Sequence, residues 1–467
     1  MPGGAFEVTS TAGTLPPAGA APSASRLYAR VWRWHFFSAL IVIPFVLWQS
    51  LTGTIYLWHR EIAALAYPQL LHVQTTDTRV SYQQQLETVL RHWPADRLQG
   101  IEIADLPPAI EADPARSTAF FFRDDNGLAF PAFVDPYTGR YLGAVASTHW
   151  VAGLSRGLHG GWPINPLGSY LLELGASWAI VMILTGLYLW WPRGARGLAG
   201  VLYPRLRNGA RTFWRDLHAT VGVYFSLIVL AFLFSALPWT TAWGDLILKP
   251  IQRATDQLPP TAKFAKGGGD HHHAQAPGAT ADGGHAQHGQ DAAAATLLSL
   301  DEIIASARAA GANGAIEVKP VGDATLMNVR SQRARAADEV LVQLDARSGA
   351  VLAKATWNDY APIPKMVSTG IDLHEGRFFG RANQIFNTVV ALSLVWLCVT
   401  GFIGWYQRRP AGGLAAPPKR TLVVPRAVLG TGAGLCVILP LFGLSVLGIW
   451  LIDAAFGARL NGGEAAQ

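Results

Sequence analysis

The stretch "RTFWRDLHATVGVYFSLIVLAFLFSALPW", residues 211–239, passes from a charged segment into an uninterrupted apolar run. A helical run of about 20 apolar residues spans the hydrocarbon core of a bilayer. His218 lies where the charged segment ends. A single histidine at such a boundary is usually an interfacial residue or a helix cap, although ionisable residues in spans are also functional candidates. A repeat of this arrangement elsewhere in the chain would favour the functional interpretation.

The composition is that of a membrane protein. Of 467 residues, 50% are hydrophobic and only 15% are charged, whereas soluble proteins have about 25% charged residues. The 17 tryptophans are typical of membrane–water interfaces. Cys398 and Cys436 both lie in apolar runs, so they define neither a disulfide framework nor a metal motif. The net charge of +6 comes from basic residues beside apolar runs, and no stripe predicts a nucleic-acid partner.

Five stretches are long and apolar enough to span a membrane, and they are residues 36–58, 169–191, 219–239, 385–406 and 427–452. Arginine and lysine cluster before the first stretch and in the loops after the second and fourth, so the positive-inside rule places these segments and the N-terminus in the cytoplasm. The two long loops then lie outside. The first apolar run begins late and is long enough to span, so we expect no cleavable signal peptide.

The predicted class is a mainly α-helical membrane protein, with a four-helix pseudo-two-fold core, one additional span and two outer α+β domains. The predicted segments are a disordered N-terminus (1–25), span one (26–58), outer domain one (59–158), span two with a preceding histidine segment (159–193), a cytoplasmic loop (194–215), span three (216–239), outer domain two (240–373), span four with its histidine segment (374–409), a cytoplasmic loop (410–426), span five (427–452) and a tail (453–467).

The two outer loops have similar sequence patterns. "FVDPYTGRYLG" at 133–143 and "VQLDARSGAVL" at 342–352 both place a hydroxyl residue and a glycine at the same offsets after an aspartate. Such residues favour a turn that joins two strands. Upstream, "SYQQQLETVLRHW" and "SLDEIIASARAAG" indicate helices with serine N-caps. Each loop is therefore predicted to form a small unit with a helix and a hairpin.

The repeat extends to histidines. His159 and His374 follow the two outer loops, and a threonine lies 26 residues after each of them, at Thr185 and Thr400. His35 corresponds to His218, because a small hydroxyl residue lies 17 residues after each, at Thr52 and Ser235. The chain is therefore predicted to contain two copies of span, outer domain, histidine and span, related by an axis along the membrane normal.

This symmetry predicts two histidine pairs, His35 with His218 near the cytoplasmic side and His159 with His374 near the outer side. Two facing imidazoles with a flat apolar cavity between them are what a six-coordinate haem iron requires, and helix bundles bind cofactors between facing helices. The four histidines are therefore predicted to ligate two haem b groups, which would carry electrons across the membrane. The prolines in "GGWPINPLG" would break a helix just after His159, so His149 is a rival ligand.

Several segments together resemble the PepSY-associated transmembrane family over about residues 26–453. They are "WRWHFFSALIVIPFVLWQSLTG", "LHGGW", "TGLYLWWPR", "RDLHATVGVYF" and "DLHEGRFFGRANQIFN", and "PLFGLSVLGIWLID" at 440–453 resembles the additional C-terminal span of that family. The resemblance implies a bacterial inner-membrane protein with PepSY domains in the periplasm. It is similar to members that reduce ferric siderophores and use paired membrane histidines as haem ligands. No glycine-rich nucleotide fingerprint is present, so electrons would come from a separate protein, reduced flavin or membrane quinol.

A histidine-rich insertion lies at residues 262–292 in the second outer loop only. Its five histidines are candidates for weak binding of copper, zinc, nickel or iron, and they are His271, His272, His273, His285 and His288. The same composition is equally that of a passive, disordered linker. Three further histidines, His59, His72 and His92, have no counterpart in the repeat and are predicted to be ordinary surface residues.

Three functions are compatible with these patterns. The leading hypothesis is a di-haem oxidoreductase that passes electrons from the cytoplasm or from quinol to a periplasmic metal complex, above all ferric-siderophore iron. A redox-silent metal-binding or transport protein would use the histidine-rich loop and polar residues within spans, for which Gln49 and Glu173 are the candidates. In a regulatory or sensory protein, the PepSY domains would bind a partner and the histidines would be structural. No residue is predicted to act as a general acid or base.

Overall fold

The computed structural model describes residues 23–103, 113–193, 197–264, 297–321, 324–333, 335–409, 413 and 424–464. Its helices are α1 (Ser23–Leu57), α2 (His59–Ala66), α3 (Pro68–Leu71), α4 (Tyr82–Leu90), α5 (Val151–His159), α6 (Leu167–Trp190), α7 (Ala210–Ala236), α8 (Thr241–Trp243), α9 (Lys249–Ala254), α10 (Leu300–Ala309), α11 (Pro362–His374), α12 (Arg381–Tyr406), α13 (Arg426–Ile438) and α14 (Pro440–Glu464). Its strands are β1 (Leu98–Ile103), β2 (Thr118–Arg123), β3 (Ala129–Val134), β4 (Tyr141–Ala144), β5 (Ile316–Val321), β6 (Leu326–Ser331), β7 (Val340–Asp345) and β8 (Val351–Thr356).

Four helices, α1, α6, α7 and α12, are long and apolar enough to cross a bilayer. They correspond to the first four predicted spans and confirm a membrane location. Helix α1 packs against α6 and α12, and α7 packs against the same two helices. Helices α1 and α7 therefore face each other diagonally across a four-helix bundle. Cys398 is buried in the apolar core between these helices, in agreement with the packing role predicted for it.

The last apolar stretch differs from its prediction. Residues 427–452, expected to form one span, belong to two helices, α13 and α14, which are separated at Leu439. Leu439 leaves the helical conformation, with φ −118° and ψ 84°. Pro440 explains the break, because proline has no N–H and its ring would clash with the carbonyl one turn earlier in a continuous helix. Helix α14 packs on α6, where Trp178 Nε1 donates to Ser445 Oγ at 3.1 Å.

The local predictions for the outer segments agree with the structure. Ser81 and Ser299 cap α4 and α10, and Ser299 forms a reciprocal capping box with Glu302. The turns between β3 and β4 and between β7 and β8 are closed by Asp135 and Asp345. Both contain a glycine in the left-handed region, Gly139 with φ 68° and Gly349 with φ 69°. A residue with a Cβ is strained in that region, which explains the repeated Asp–hydroxyl–Gly pattern.

The two predicted outer units are joined in one sheet. Its eight antiparallel strands have the order β4-β3-β2-β1-β5-β6-β7-β8, and β1 pairs with β5 so that Ile101 lies opposite Val318. Each half contributes four strands and one helix, and residues from both halves form a single apolar core. An isolated four-stranded sheet would expose the N–H and C=O groups of its edge strand β1 or β5. Pairing these two edges satisfies the groups and relates the halves by an approximate two-fold axis.

The sheet lies at one end of the bundle. Helix α5, which ends at His159, packs on α1, and α11, which ends at His374, packs on α7. We call this end, which includes Thr52 and Ser235, the sheet end of the bundle. The opposite end, which includes His35 and His218, is the loop end.

The face of the sheet opposite α4 and α10 carries an ion-pair network. Glu317 on β5 contacts Lys319 at 2.9 Å and Arg330 on β6 at 3.0 Å. Burial by itself would raise the pKa of Glu317, but the neighbouring Arg330 and Lys319 outweigh it and hold the pKa at about 2. The folded state therefore favours the ionised form of Glu317 more strongly than the unfolded state does.

We predict that Glu317 stabilises the fold above about pH 4.5 and that this contribution is lost as the pH falls towards 2. Glu317→Gln should lower the unfolding free energy at pH 7 by about 3 kcal/mol, because it removes the carboxylate that contacts two partly buried cations. The variant should also lose less stability than wild type between pH 5 and pH 3. Thermal unfolding in detergent across that range measures both effects. The exposed Glu87→Gln variant is the control, and parallel pH profiles for Glu317→Gln and wild type would contradict the prediction.

Candidate functional site

His159 and His374 meet at the sheet end of the bundle, as the repeat predicted. Their ring centroids are 6.4 Å apart and the ring planes are inclined by 59°. With metal–nitrogen bonds of about 2.0–2.1 Å and about 1.1 Å from each nitrogen to its ring centre, two imidazoles that share one metal have centres about 6.3 Å apart. The observed separation is therefore suitable for axial ligation of one metal ion from both sides.

Hydroxyl groups orient both rings of this pair. Thr52 Oγ1 lies 3.1 Å from Nδ1 of His159, and Ser235 Oγ lies 3.5 Å from Nδ1 of His374. Thr52 Oγ1 donates to the carbonyl of Trp48 at 2.9 Å, and Ser235 Oγ donates to the carbonyl of Phe232 at 2.7 Å. Because each hydroxyl proton is used in this way, the hydroxyl oxygen can only accept from the ring, which favours the tautomer protonated at Nδ1 and leaves the lone pair on Nε2.

The loop-end pair is oriented in the same way. Nδ1 of His35 lies 3.1 Å from Thr185 Oγ1 and 3.1 Å from the carbonyl oxygen of Met182. Nδ1 of His218 lies 3.1 Å from Thr400 Oγ1. His35 and His218 belong to the diagonal helices α1 and α7 and are close enough to interact electrostatically. Within the described part of the chain, no hydrogen bond reaches Nε2 of any of the four histidines.

Glycine follows three of the four hydroxyl residues and makes room for the rings. A Cβ on Gly53 would lie 3.0 Å from Cε1 of His159, and one on Gly186 would lie 3.2 Å from Cε1 of His35. The corresponding distance from Gly401 to Cε1 of His218 is 3.4 Å. The sequence places Ala236 after Ser235 in the fourth case. The repeated Thr-Gly dipeptide is visible in the sequence, but spacing alone does not indicate that its glycine makes room for a ring.

The sheet-end histidines are partly buried and lie beside aromatic side chains. His374 stacks on Phe232 with a centroid separation of 3.9 Å, and Trp239 lies 5.2 Å from it. Burial lowers the pKa of both imidazoles to about 4, and at His159 the neighbouring His374 adds to the effect. Both are therefore neutral at pH 7, which is the form that binds metals.

Other candidate histidines are not part of these pairs. His149, the rival of His159, is exposed and its Nδ1 lies 3.3 Å from the hydroxyl of the adjacent Thr148. His72 and His92 are exposed as predicted. His59 is partly buried and not a freely exposed residue; its ring stacks on Tyr56 at 4.9 Å and its Nδ1 donates to the Tyr56 carbonyl. The histidine-rich insertion lies almost wholly outside the described residues, and its five histidines are not among them.

The polar residues considered for a transport function have structural partners. Gln49 Nε2 donates to the carbonyl of His159 at 3.4 Å. Glu173, buried on α6, accepts from the backbone N–H of Ala242 at 2.8 Å and so caps α8. Both therefore support the sheet end of the bundle.

The donor set fits haem. Among the described residues, no group of three or more histidines, cysteines or carboxylates is placed to hold a metal ion by itself. Each pair offers two neutral imidazoles, and a porphyrin supplies the four further nitrogens that a six-coordinate iron needs. The geometry of the sheet-end pair, the tautomers and the glycines that make room beside the rings are compatible with such a group.

The sequence profile of the PepSY-associated TM region family matches residues 32–408. The chain belongs to this family. The match includes the four spans, the eight-stranded sheet and all four paired histidines, so it confirms the resemblance seen in the sequence. No curated protein matches the chain significantly.

Proposed function

We propose that this PepSY-associated membrane protein is a di-haem oxidoreductase that reduces a ferric complex, with ferric siderophores as the substrate class. The loop end would lie in the cytoplasm and the sheet end in the periplasm of a bacterial inner membrane. The observation that carries the proposal is the sheet-end pair, with rings 6.4 Å apart and each Nδ1 held by a hydroxyl residue.

The protein would hold and orient the redox groups. A haem b with two histidine ligands supplies one-electron exchange between Fe(III) and Fe(II). The hydroxyl and carbonyl partners fix each ring, and such outer partners typically change metal affinity about 10- to 100-fold. Phe232 and Trp239 provide apolar walls at the sheet end.

The positions of the pairs fit transfer across a membrane. His35 and Thr52, the hydroxyl partner of His159, are 17 residues apart on α1. At about 1.5 Å per residue the two levels differ by about 25 Å, which is close to the thickness of the hydrocarbon core. The loop end also carries the arginine-rich segments between α6 and α7 and after α12, which supports its assignment to the cytoplasm.

Iron release follows from the chemistry of the substrate. Hard oxygen ligands hold Fe(III) more tightly than Fe(II), so transfer of one electron to the chelated iron weakens its binding. The electron would come from a cytoplasmic protein, reduced flavin or membrane quinol. In the periplasm, the histidine-rich insertion would then be placed to retain released metal, which stays a prediction.

We predict that the detergent-purified protein, expressed with ample haem, contains two haems per chain. Single His→Ala changes at His35, His218, His159 or His374 should each remove about one of the two, because loss of one axial imidazole weakens one site only. Dithionite-reduced visible spectra and extracted haem per chain measure this. His149→Ala is the matched control and should retain both haems. A colourless wild type, or loss of haem in the His149 variant alone, would overturn the proposal.

We predict that added methyl groups at the Thr-Gly positions disturb the rings they face. Gly53→Ala should reduce haem content or shift the absorbance of the sheet-end haem, because its Cβ would lie 3.0 Å from His159 Cε1. Gly186→Ala should do the same at the loop end. Gly404→Ala on α12 is the control, since a Cβ there would meet nothing within 4 Å. Equal spectra for all three variants would show that these glycines do not make room for ligands.

The reductase function is tested by re-oxidation. We predict that a reduced, dithionite-free sample returns to the oxidised spectrum when a ferric trihydroxamate is added, with two Fe(II) formed per protein because each haem gives one electron. An Fe(II)-specific chromogenic chelator counts the product, and a gallium complex of the same chelator is the redox-inert control. His374→Ala should form at most half as much Fe(II). A protein that keeps its reduced spectrum with every ferric chelate tested would lack the proposed activity.

A further inference from the structure

Polar and charged side chains lie between the sheet and the sheet-end histidine pair. We call this group the junction, and in it Arg156 lies within electrostatic range of Tyr56, Glu317, Arg330 and Glu375. Its sheet side is the face that carries the ion-pair network of β5 and β6. The junction therefore separates the predicted electron-donating pair from the mixed charges of the sheet.

Most charges around the junction have direct partners. Glu317 contacts Lys319 and Arg330, as described above. Arg377 contacts Asp372 at 2.8 Å and Glu375 at 3.0 Å. The carboxylates nearest to Arg156 are therefore already engaged by other cations.

Arg156 is the exception. It lies on α5 one helical turn before His159, so the two side chains share a face of the helix. Its side chain is exposed, so its guanidinium is accessible to a ligand. Within the described part of the chain its guanidinium makes no hydrogen bond and no ion pair. An accessible guanidinium without a direct partner is free to form charge-assisted hydrogen bonds with an anion.

We infer that Arg156 is a carboxylate-binding residue beside the sheet-end histidine pair. The planar guanidinium matches a carboxylate with two parallel hydrogen bonds. Two sources of carboxylate would suit this residue, a propionate of a haem held by His159 and His374 or a carboxylate-bearing ferric chelate at the junction. The inference deepens the proposed function and rests on it for both sources.

The second half of the repeat does not offer the same group. The residue three positions before His374 is Ile371, which is buried and apolar. Arg156 is thus a feature of one half only, and the bundle symmetry does not require it. This difference favours a ligand-binding role over a role in packing the repeat.

Three variants test the inference in the full-length, haem-loaded protein. Arg156→Gln removes the charge, and Arg156→Lys keeps the charge but not the two-pronged geometry. Arg140→Gln removes an equal charge from the exposed turn after β3 and is the control. The measurements are the midpoint potentials of the two haems, and KM for ferric citrate and for a ferric trihydroxamate without carboxylates.

A propionate partner predicts a lower potential for one haem in Arg156→Gln, because an uncompensated negative charge favours Fe(III). When both proteins are loaded with haem dimethyl ester instead of haem, wild type and Arg156→Gln should then have the same midpoint potentials. A substrate partner predicts a KM for ferric citrate raised roughly 10- to 100-fold, the range for a hydrogen bond to a charged group. In that case KM for the trihydroxamate and both potentials stay the same. In either case the affected potential or KM of Arg156→Lys should lie between the values for wild type and Arg156→Gln.

Unchanged potentials and unchanged KM values in a haem-loaded Arg156→Gln variant would overturn the inference and leave the proposed function standing. A wild type without haem would overturn the proposed function instead. Calorimetric titration of this haem-free protein with citrate would still test whether Arg156 binds a carboxylate. Binding that Arg156→Gln loses and Arg140→Gln keeps supports a carboxylate site, and absence of binding to wild type refutes it.

Discussion

The candidate site depends on one contact that occurs four times, the contact between a histidine Nδ1 and a hydroxyl residue on another helix of the same repeat. In the first half, His35 on α1 contacts Thr185 on α6, and His159, just before α6, contacts Thr52 on α1. The second half repeats the exchange between α7 and α12. Each half therefore fixes two rings and their tautomers by itself. Association of the two halves then needs only to bring these oriented histidines together.

The sheet provides much of that association. Pairing of β1 with β5 removes two exposed edges and joins the halves at the same end of the bundle as His159 and His374. A shared apolar core beneath both halves makes this connection rigid, because α4 of one half and α10 of the other pack against each other over the sheet. Slippage of β1 against β5 by one residue would turn buried side chains such as Ile101 to the polar face, so the register is strongly specified. The sheet thus keeps the relative position of the two halves at the site where a shared metal would need it.

The sequence predicted the parts whose signals are local or repeated. Four spans followed from length and hydropathy, the caps at Ser81 and Ser299 from residue type, and the facing of His159 and His374 from equal spacing in two copies. It did not predict the joining of the outer units, because edge pairing depends on which strands remain unpaired in three dimensions. The break at Leu439 was a readable signal, since Pro440 interrupts an otherwise apolar run. Arg156 could not be recognised from the sequence, because only the fold shows that nearby carboxylates are engaged elsewhere.

The departures from symmetry bear on the direction of electron flow in the proposed oxidoreductase. At the loop end both rings contact threonine at 3.1 Å, whereas at the sheet end His374 has only Ser235 at 3.5 Å. A hydrogen bond to Nδ1 makes an imidazole a more basic ligand, and a more basic ligand favours Fe(III). In the proposed oxidoreductase this difference would give the sheet-end haem the higher potential, so electrons would pass from the loop end to the sheet end, which is the direction that reduction of a periplasmic ferric complex requires.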